Sequence, residues 1–381
     1  DKLKYIIEVL SLERRLLFAN PDKNIFPKRK EIFREQSEFI LKLNEFYEYS
    51  WLVDWMTILV DHQADFKHSQ KNAEMEKILS HPLLTNEKSP TFYTARLYFY
   101  HTYSLYHAAK RNTDKIYEYL KKEINLAEKF PHFIDEKPQN YAFGLINFLL
   151  CSSHAKKRND VRETIVKLGN LRRRLKTKIS QQEEINIFFY ADNIEMLIYE
   201  QNCDLKRGRI KARAIEKSLK KYYDKVPLQR RIILHTDLAY FYLLDENLEQ
   251  ALHYINIVLD EANPSFRSDI YEFARVFQLI VHFELGNYDL LEYLIAGTYK
   301  FFKEKKKLLK PESIVLDFFK GAVKAADDEL PELYEELKYK LKKEEKNFHE
   351  QSFLVYFDFI SWAESKTKKV SFIDILKNKK S

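Results

Sequence analysis

Apolar residues recur along this chain at helical spacing, in stretches separated by short polar breaks. Lys2 to Ala19 reads as one helix, stopped by Asn20-Pro21. Lys28 to Tyr49 and Trp51 to Phe66 read as two more, followed by a short helix near Ala73 to Leu79. His81-Pro82 and Ser89-Pro90 then punctuate the chain, because proline disfavours helix at the residue before it. The stretch 1–90 is thus expected to be an irregular helical region packed on the remainder of the chain.

From Thr91 onward a repeat emerges: an aromatic-rich helix, a tight turn containing Asn, and an amphipathic second helix. The turns are Arg111-Asn112, Arg158-Asn159, Gln201-Asn202, Glu246-Asn247 and Gly286-Asn287, with asparagines 47, 43, 45 and 40 residues apart. Fixed periods of about 20 to 50 residues mark stacked repeats. Asn and Gly suit these turns because both tolerate the left-handed backbone that ends a helix. Second helices are predicted over Thr113–Lys129, Asp160–Lys178, Lys206–Asp224, Leu248–Ala262 and Tyr288–Lys305. In one of them Leu248, Ala251, Leu252, Ile255, Val258 and Leu259 form a single stripe. Ser180 and Glu183 have capping-box spacing, and Pro227, Pro264 and Pro311 fall between helix pairs. Helices around Ile314–Ala326 and Leu330–Glu345 make a sixth pair, and Phe348–Glu364 closes the array. The expected organisation is 1–90, a repeat array over 91–366, and a lysine-rich tail over 367–381.

Composition agrees with an all-α fold. The 381 residues include only 6 Gly and 10 Pro, too few for the turns of barrels, sandwiches or doubly wound sheets. A chain this long exceeds one compact core, but a repeat array grows lengthwise. Aromatic residues make up 15% of the chain, chiefly as core filling, with an aromatic-lined ligand groove as the second reading. The two cysteines, Cys151 and Cys203, have no metal or redox spacing and suit a reducing, cytoplasmic setting. No apolar run approaches the roughly 20 residues that span a bilayer, so membrane insertion is not expected. No leader pattern is visible at the start, which is Asp1 rather than Met.

One pair carries a family resemblance. Leu238-Ala239, Tyr242, Ala251, Ile255, Val258 and Asn263-Pro264 reproduce the order of large, small, aromatic and terminal proline residues that is similar to a tetratricopeptide (TPR) repeat. Val258 is larger than the family's usual alanine, and His235 stands where the family often has tryptophan. Gly286-Asn287-Tyr288 resembles the family's turn, although Leu291 replaces the expected small residue. Family repeats have 34 residues, so these periods mean longer helices or looser loops. The resemblance implies a right-handed superhelix, an α-solenoid of antiparallel helix pairs, whose ligands lie in a groove lined by first helices. The family's inward positions, carried onto this chain, are Ile233, Thr236 and Tyr240. Neighbouring pairs add Glu195 and Tyr199, then Phe273, Val276 and Ile280.

Catalytic signatures are missing: no Gly-rich phosphate loop, no His-Glu-x-x-His and no Gly-x-Ser-x-Gly. His62/His68 and His101/His107 are six apart, which puts them on different helix faces, so no metal and no cofactor are expected. Three pairs, Arg96/His101, Arg230/His235 and Arg275/His282, resemble the Arg-x(4–6)-His pattern of the HEPN ribonucleases. Leu97 and Val276 stand where that family usually has a polar residue.

Net charge is +7 from 64 basic and 57 acidic residues, mild for steering a polyanion. Two second helices are nevertheless rich in cations: Arg162, Arg172, Arg173 and Arg174 on one, and Arg207, Arg209, Lys211, Arg213, Lys220 and Lys221 on the next. The leading expectation is a non-catalytic scaffold for a protein or peptide, with an acidic segment as one candidate partner. A nucleic-acid-binding array using the basic helices is the alternative, and a HEPN-like ribonuclease stands third.

Overall fold

The computed structural model describes residues 2–18, 25–60, 68–261, 268–305, 308–344, 354 and 356–379. Asn20-Pro21, His62, Asn263-Pro264 and the first part of the expected Phe348–Glu364 helix lie outside them, as does the side chain of His68. Among the described residues there is no strand. The molecule is an all-α, TPR-like array of helix pairs, divided into two compact units, Asp1–Leu175 and Lys176–Ser381.

The first unit contains α1 (Lys2–Phe18), α2 (Ile25–Val60), α3 (His68–Leu79), α4 (Tyr93–Ala109), α5 (Thr113–Lys129), α6 (Pro131–Glu136), α7 (Pro138–His154) and α8 (Arg158–Leu175). The two helices expected over 28–66 are one through their described part. No Gly or Pro interrupts residues 28–60, and Ser50 sits mid-helix between buried Tyr49 and Leu52. The core here joins Tyr49, Leu52, Met56 and Leu59 of α2 to Ala95, Phe99 and Tyr100 of α4. Tyr49 and Tyr103 donate to the carbonyls of Leu83 and Leu84, both at 2.7 Å, and tie down the proline-marked turns before α4. The short helix α6, starting at Pro131, was not evident in the sequence pattern.

The second unit contains α9 (Gln181–Gln201), α10 (Leu205–Tyr222), α11 (Leu228–Leu244), α12 (Leu248–Glu261), α13 (Ser268–Glu284), α14 (Tyr288–Glu304), α15 (Lys310–Ala322), α16 (Leu330–Glu344), α17 (Phe359–Lys368) and α18 (Phe372–Asn378). The expected capping box forms at α9, with Ser180 accepting from Glu183 N and Glu183 accepting from Ser180 N. The TPR-like residues Ala239, Ala251, Ile255 and Val258 are fully buried between α11 and α12. Close approach also needs Gly208 of α10, which lies against the Phe241 ring. The 367–381 stretch is not all tail: Ile373, Ile375 and Leu376 bury one side of α18.

The repeat is sharper in backbone geometry than in sequence. Arg111, Lys156, Cys203, Glu246, Gly286 and Lys369 all have φ between 53° and 71°. Each ends a helix in a Schellman turn. The next N–H reaches back five residues, as Asn112 to His107 O and Asn287 to His282 O, both 3.0 Å, and Asn247 to Tyr242 O, 2.9 Å. The left-handed residue is therefore not the asparagine. Asn112 and Asn247 instead start the next helix, their Oδ1 atoms accepting from Lys115 N and Gln250 N at 3.2 Å.

Candidate functional site

On α11 four side chains remain half-buried along one stripe: Arg230, Ile233, Asp237 and Tyr240. Their spacing of three, four and three residues places them on the face turned away from the small residues that seat α12. Arg230 donates to the carbonyls of Asn186 (2.9 Å) and Ile185 (3.4 Å) on α9. Asn193 of α9 donates to Asp237. This is the first-helix face of the array.

An acidic pair sits on it. Glu200 is 7% exposed, and its Oε1 has no hydrogen-bond partner. Burial, then the charge of Asp237, raise its carboxyl well above the usual range. Asp237 is raised by burial, partly opposed by the Asn193 hydrogen bond. Tyr240 is raised too, by burial and then by the charges of Glu200 and Asp358. A carboxyl with an unpartnered oxygen in so dry a setting is a position where a cationic group would favour the ionised form.

Further along, the chain covers its own face. Phe357 packs edge-on to Tyr240 (6.1 Å between centroids) and to Phe277 (6.3 Å), and Tyr356 lies 5.3 Å from Phe273. The Tyr356 hydroxyl donates to Asp269 at 2.7 Å. Trp362 donates to Glu284 at 2.6 Å, and Ile373 and Leu376 of α18 meet Cys203 and Leu244. Consequently α13 is buried on nearly every side.

The expected groove residues therefore divide. Ile233 and Tyr240 lie on the half-buried stripe of α11, but Tyr240 is already covered by Phe357 and packs beside α18. Thr236 is buried and donates back to Ile232 O at 2.8 Å. Phe273, Val276 and Ile280 are core, at 2% exposure or less. Glu195 and Tyr199 point toward α10 instead: Lys211 Nζ lies 2.6 Å from Glu195 and 2.8 Å from Asp192, and Tyr199 donates to Glu195 at 2.6 Å. Asp237, Glu200, Asn193 and Arg230 were not singled out for this face. The spacing of Arg230, Ile233, Asp237 and Tyr240 was the available signal.

Among the basic residues, Lys211 is neutralised in that triad, Arg209 chelates Asp245 (2.8 and 2.9 Å), and Arg207 pairs with its own N-cap, Asp204, at 3.2 Å. Lys221 bonds Tyr222, and Arg213 and Lys220 are exposed. In the first unit Arg174 pairs with Asp135 (3.5 Å), Arg173 donates to Asn170, Arg172 is half-buried, and Arg162 is exposed.

The three Arg/His pairs are otherwise engaged. Arg96 donates to Pro90 O, and His101 lies 3.4 Å from Glu123; burial lowers its pKa but Glu123 raises it more, for a net rise. His235 stacks between Tyr223 and Tyr254. Arg275 lies over Phe301, and His282 contacts Asn287. Among the described residues no cluster of three or more His, Cys, Asp or Glu side chains could hold a metal, and no helix is long and apolar enough to cross a membrane.

Neither a family model nor a curated protein matches this sequence. In structure the chain is similar to RapI in its apo form, with a TM-score of 0.59 at 12% identity, covering 97% of this chain and 99% of that one. NprR in complex with its cognate peptide NprX aligns with a TM-score of 0.46 at 13% identity, over 99% of this chain and 98% of that one. At such identity the RapI likeness is one of fold: an array of helix pairs along the whole chain.

Proposed function

We propose that this protein is a non-catalytic scaffold whose first-helix face on α9 and α11 holds an extended peptide or protein segment. The observation that carries this reading is Glu200. A buried carboxyl with an unpartnered oxygen, beside Asp237, is compensated when a ligand brings a lysine, arginine or amino terminus to it. Ile233, one turn before Asp237 on the same stripe, supplies an apolar contact, and the Asn193 amide fixes the Asp237 carboxylate. The TPR-like fold supports the reading, because stacked helix pairs create long surfaces without a reaction centre. An acidic partner has less to meet, since Arg207, Arg209 and Lys211 already have carboxylate partners. Both cysteines are buried thiols, which suits a cytoplasmic setting.

Fluorescence anisotropy with short labelled peptides, identical except for one Lys, Gln or Glu, tests this. The lysine series should bind, and Asp237→Asn should abolish its advantage. Equal binding of all three series, unchanged by Asp237→Asn and Glu200→Gln, would overturn the reading.

A further inference from the structure

Helix α2 is apolar on two distinct faces. One face, with Ile32, Tyr49, Leu52, Met56 and Leu59, is buried within the first unit. The other is open: Phe26 is 77% exposed, Phe33 58% and Trp51 59%, with Ile40, Tyr47 and Ile58 close to half exposed. These open positions are not scattered. From Phe26 to Ile58 they follow alternating steps of four and three residues, which is the seam of a two-stranded coiled coil. Residues 30, 37, 44 and 54 complete the seam with Lys, Ser, Asn and Asp. Beside it α1 shows a shorter stripe of the same kind, Tyr5, Val9, Leu12 and Leu16, all more than half exposed.

The order of residues in the α2 seam identifies what covers it. We propose that the occupant is the same seam on a second copy of this chain, packed antiparallel about a two-fold axis at the level of residue 42. That register sets Phe26 against Ile58, Phe33 against Trp51, Ser37 against Tyr47 and Ile40 against Asn44 of the second copy. The two charged seam positions then meet each other, Lys30 against Asp54. Outside the seam, Arg34 and Glu48, both exposed, face their counterparts across the same axis. A parallel pairing would instead oppose Lys30 to Lys30 and Asp54 to Asp54. Sliding the antiparallel pair by one heptad leaves both charges against uncharged residues or beyond the helix. One register alone neutralises every charge in the seam, and a two-fold axis guarantees that each match occurs twice.

The shape of the surface fits as well. A groove of about 570 Å³ lies between α1 and α2, lined by Arg14, Arg15, Phe26, Arg29, Lys30 and Phe33. In the proposed register the Asp54–Ile58 end of the second copy enters this groove. Its carboxylate arrives among cations and its isoleucine against Phe26. Asn44 near the centre of an otherwise apolar stretch is the kind of polar seam residue that fixes register and strand number.

Light scattering and sedimentation of the full chain test the proposal, with circular dichroism as the control for folding. The wild type should be a dimer at micromolar concentration. Lys30→Glu and Asp54→Lys should each weaken the dimer on the order of 100-fold by opposing like charges, and the double variant should recover it. Phe33→Glu should give a folded monomer. Cys151 and Cys203 are buried, so introduced cysteines report cleanly. Lys30→Cys with Asp54→Cys in one chain should yield a disulfide-linked dimer, and either alone should not. A monomeric wild type, a dimer indifferent to Phe33→Glu and the charge reversals, or efficient linkage through Lys30→Cys alone would overturn it.

Discussion

Gly208 of α10 lies against the ring of Phe241 on α11, with no room between them for a Cβ. Phe241 is 1% exposed and closed in on all sides, so the ring cannot swing away. Gly208→Ala gains about 1 kcal/mol of helix propensity. It loses about 1–3 kcal/mol to overpacking. The net expectation is a lower melting temperature. Phe241→Leu in the same chain should relieve part of the loss, so a double-mutant cycle by thermal or urea unfolding should show positive coupling.

The left-handed helix ends make a second, independent prediction. Glu246 is exposed and adopts φ 57°, whereas Gly286 adopts φ 71° at the equivalent place one pair later. An L-residue there costs roughly 1 kcal/mol relative to glycine. Glu246→Gly should therefore stabilise the protein by about 0.5–1 kcal/mol, less than the full cost because glycine also loosens the unfolded chain. Gly286→Ala should destabilise by about 1 kcal/mol. Urea midpoints of the two variants should move in opposite directions. Equal shifts would mean that the turn geometry differs between them.

Those same turns show how much of the fold is legible in the sequence. The period was readable because each turn carries an asparagine, although Asn112 and Asn247 cap the following helix while Arg111 and Glu246 take the left-handed backbone. Helix limits such as Thr113–Lys129 and Leu248–Glu261 followed from amphipathic stripes. The division expected within α2 failed because two apolar faces on one helix blur its period, and because Ser50 breaks nothing on its own. Facing was harder than existence. Glu195 and Tyr199 lie about two residues round α9 from the acidic stripe, a rotation that only the contact with Lys211 reveals. That Phe273 and Phe277 are covered depends on Tyr356 and Phe357, more than 70 residues away, and no local pattern encodes so distant a contact.

His235 carries a third prediction, for acid. Burial, then the charges of Arg231 and His253, lower its pKa from 6.5 to about 4, and its Nδ1 has no partner. The folded state thus keeps it neutral while the unfolded chain protonates near pH 6.5. The unfolded state binds more protons, so stability present above pH 6.5 declines as pH falls toward 4. The span corresponds to roughly 3 kcal/mol at most. His235→Phe keeps the stack with Tyr223 and Tyr254 and removes the titration. Its melting temperature should fall less than that of the wild type between pH 7 and pH 4.5. Parallel curves would show that His235 titrates normally.

The Glu200–Asp237 pair should behave in the opposite sense, and this separates its cost to folding from its use in binding. Both carboxyls are raised in the folded state, Glu200 by burial and by Asp237, Asp237 by burial against the Asn193 hydrogen bond. A raised carboxyl makes its contribution in full below the ordinary carboxylate range, and that contribution is lost as pH rises through the folded value. Glu200→Gln removes the repelling charge and should stabilise the protein at neutral pH and above, with little change near pH 4. A cationic ligand group reverses the balance, because it binds the ionised pair. Its affinity should strengthen across the same rise in pH that weakens the empty fold, and binding should release protons, measurable as a buffer-dependent enthalpy in calorimetry. Glu200→Gln should then flatten both profiles together. If stability flattened while the pH dependence of peptide binding persisted, the pair would be a strained element of the core and the ligand would sit elsewhere on the array.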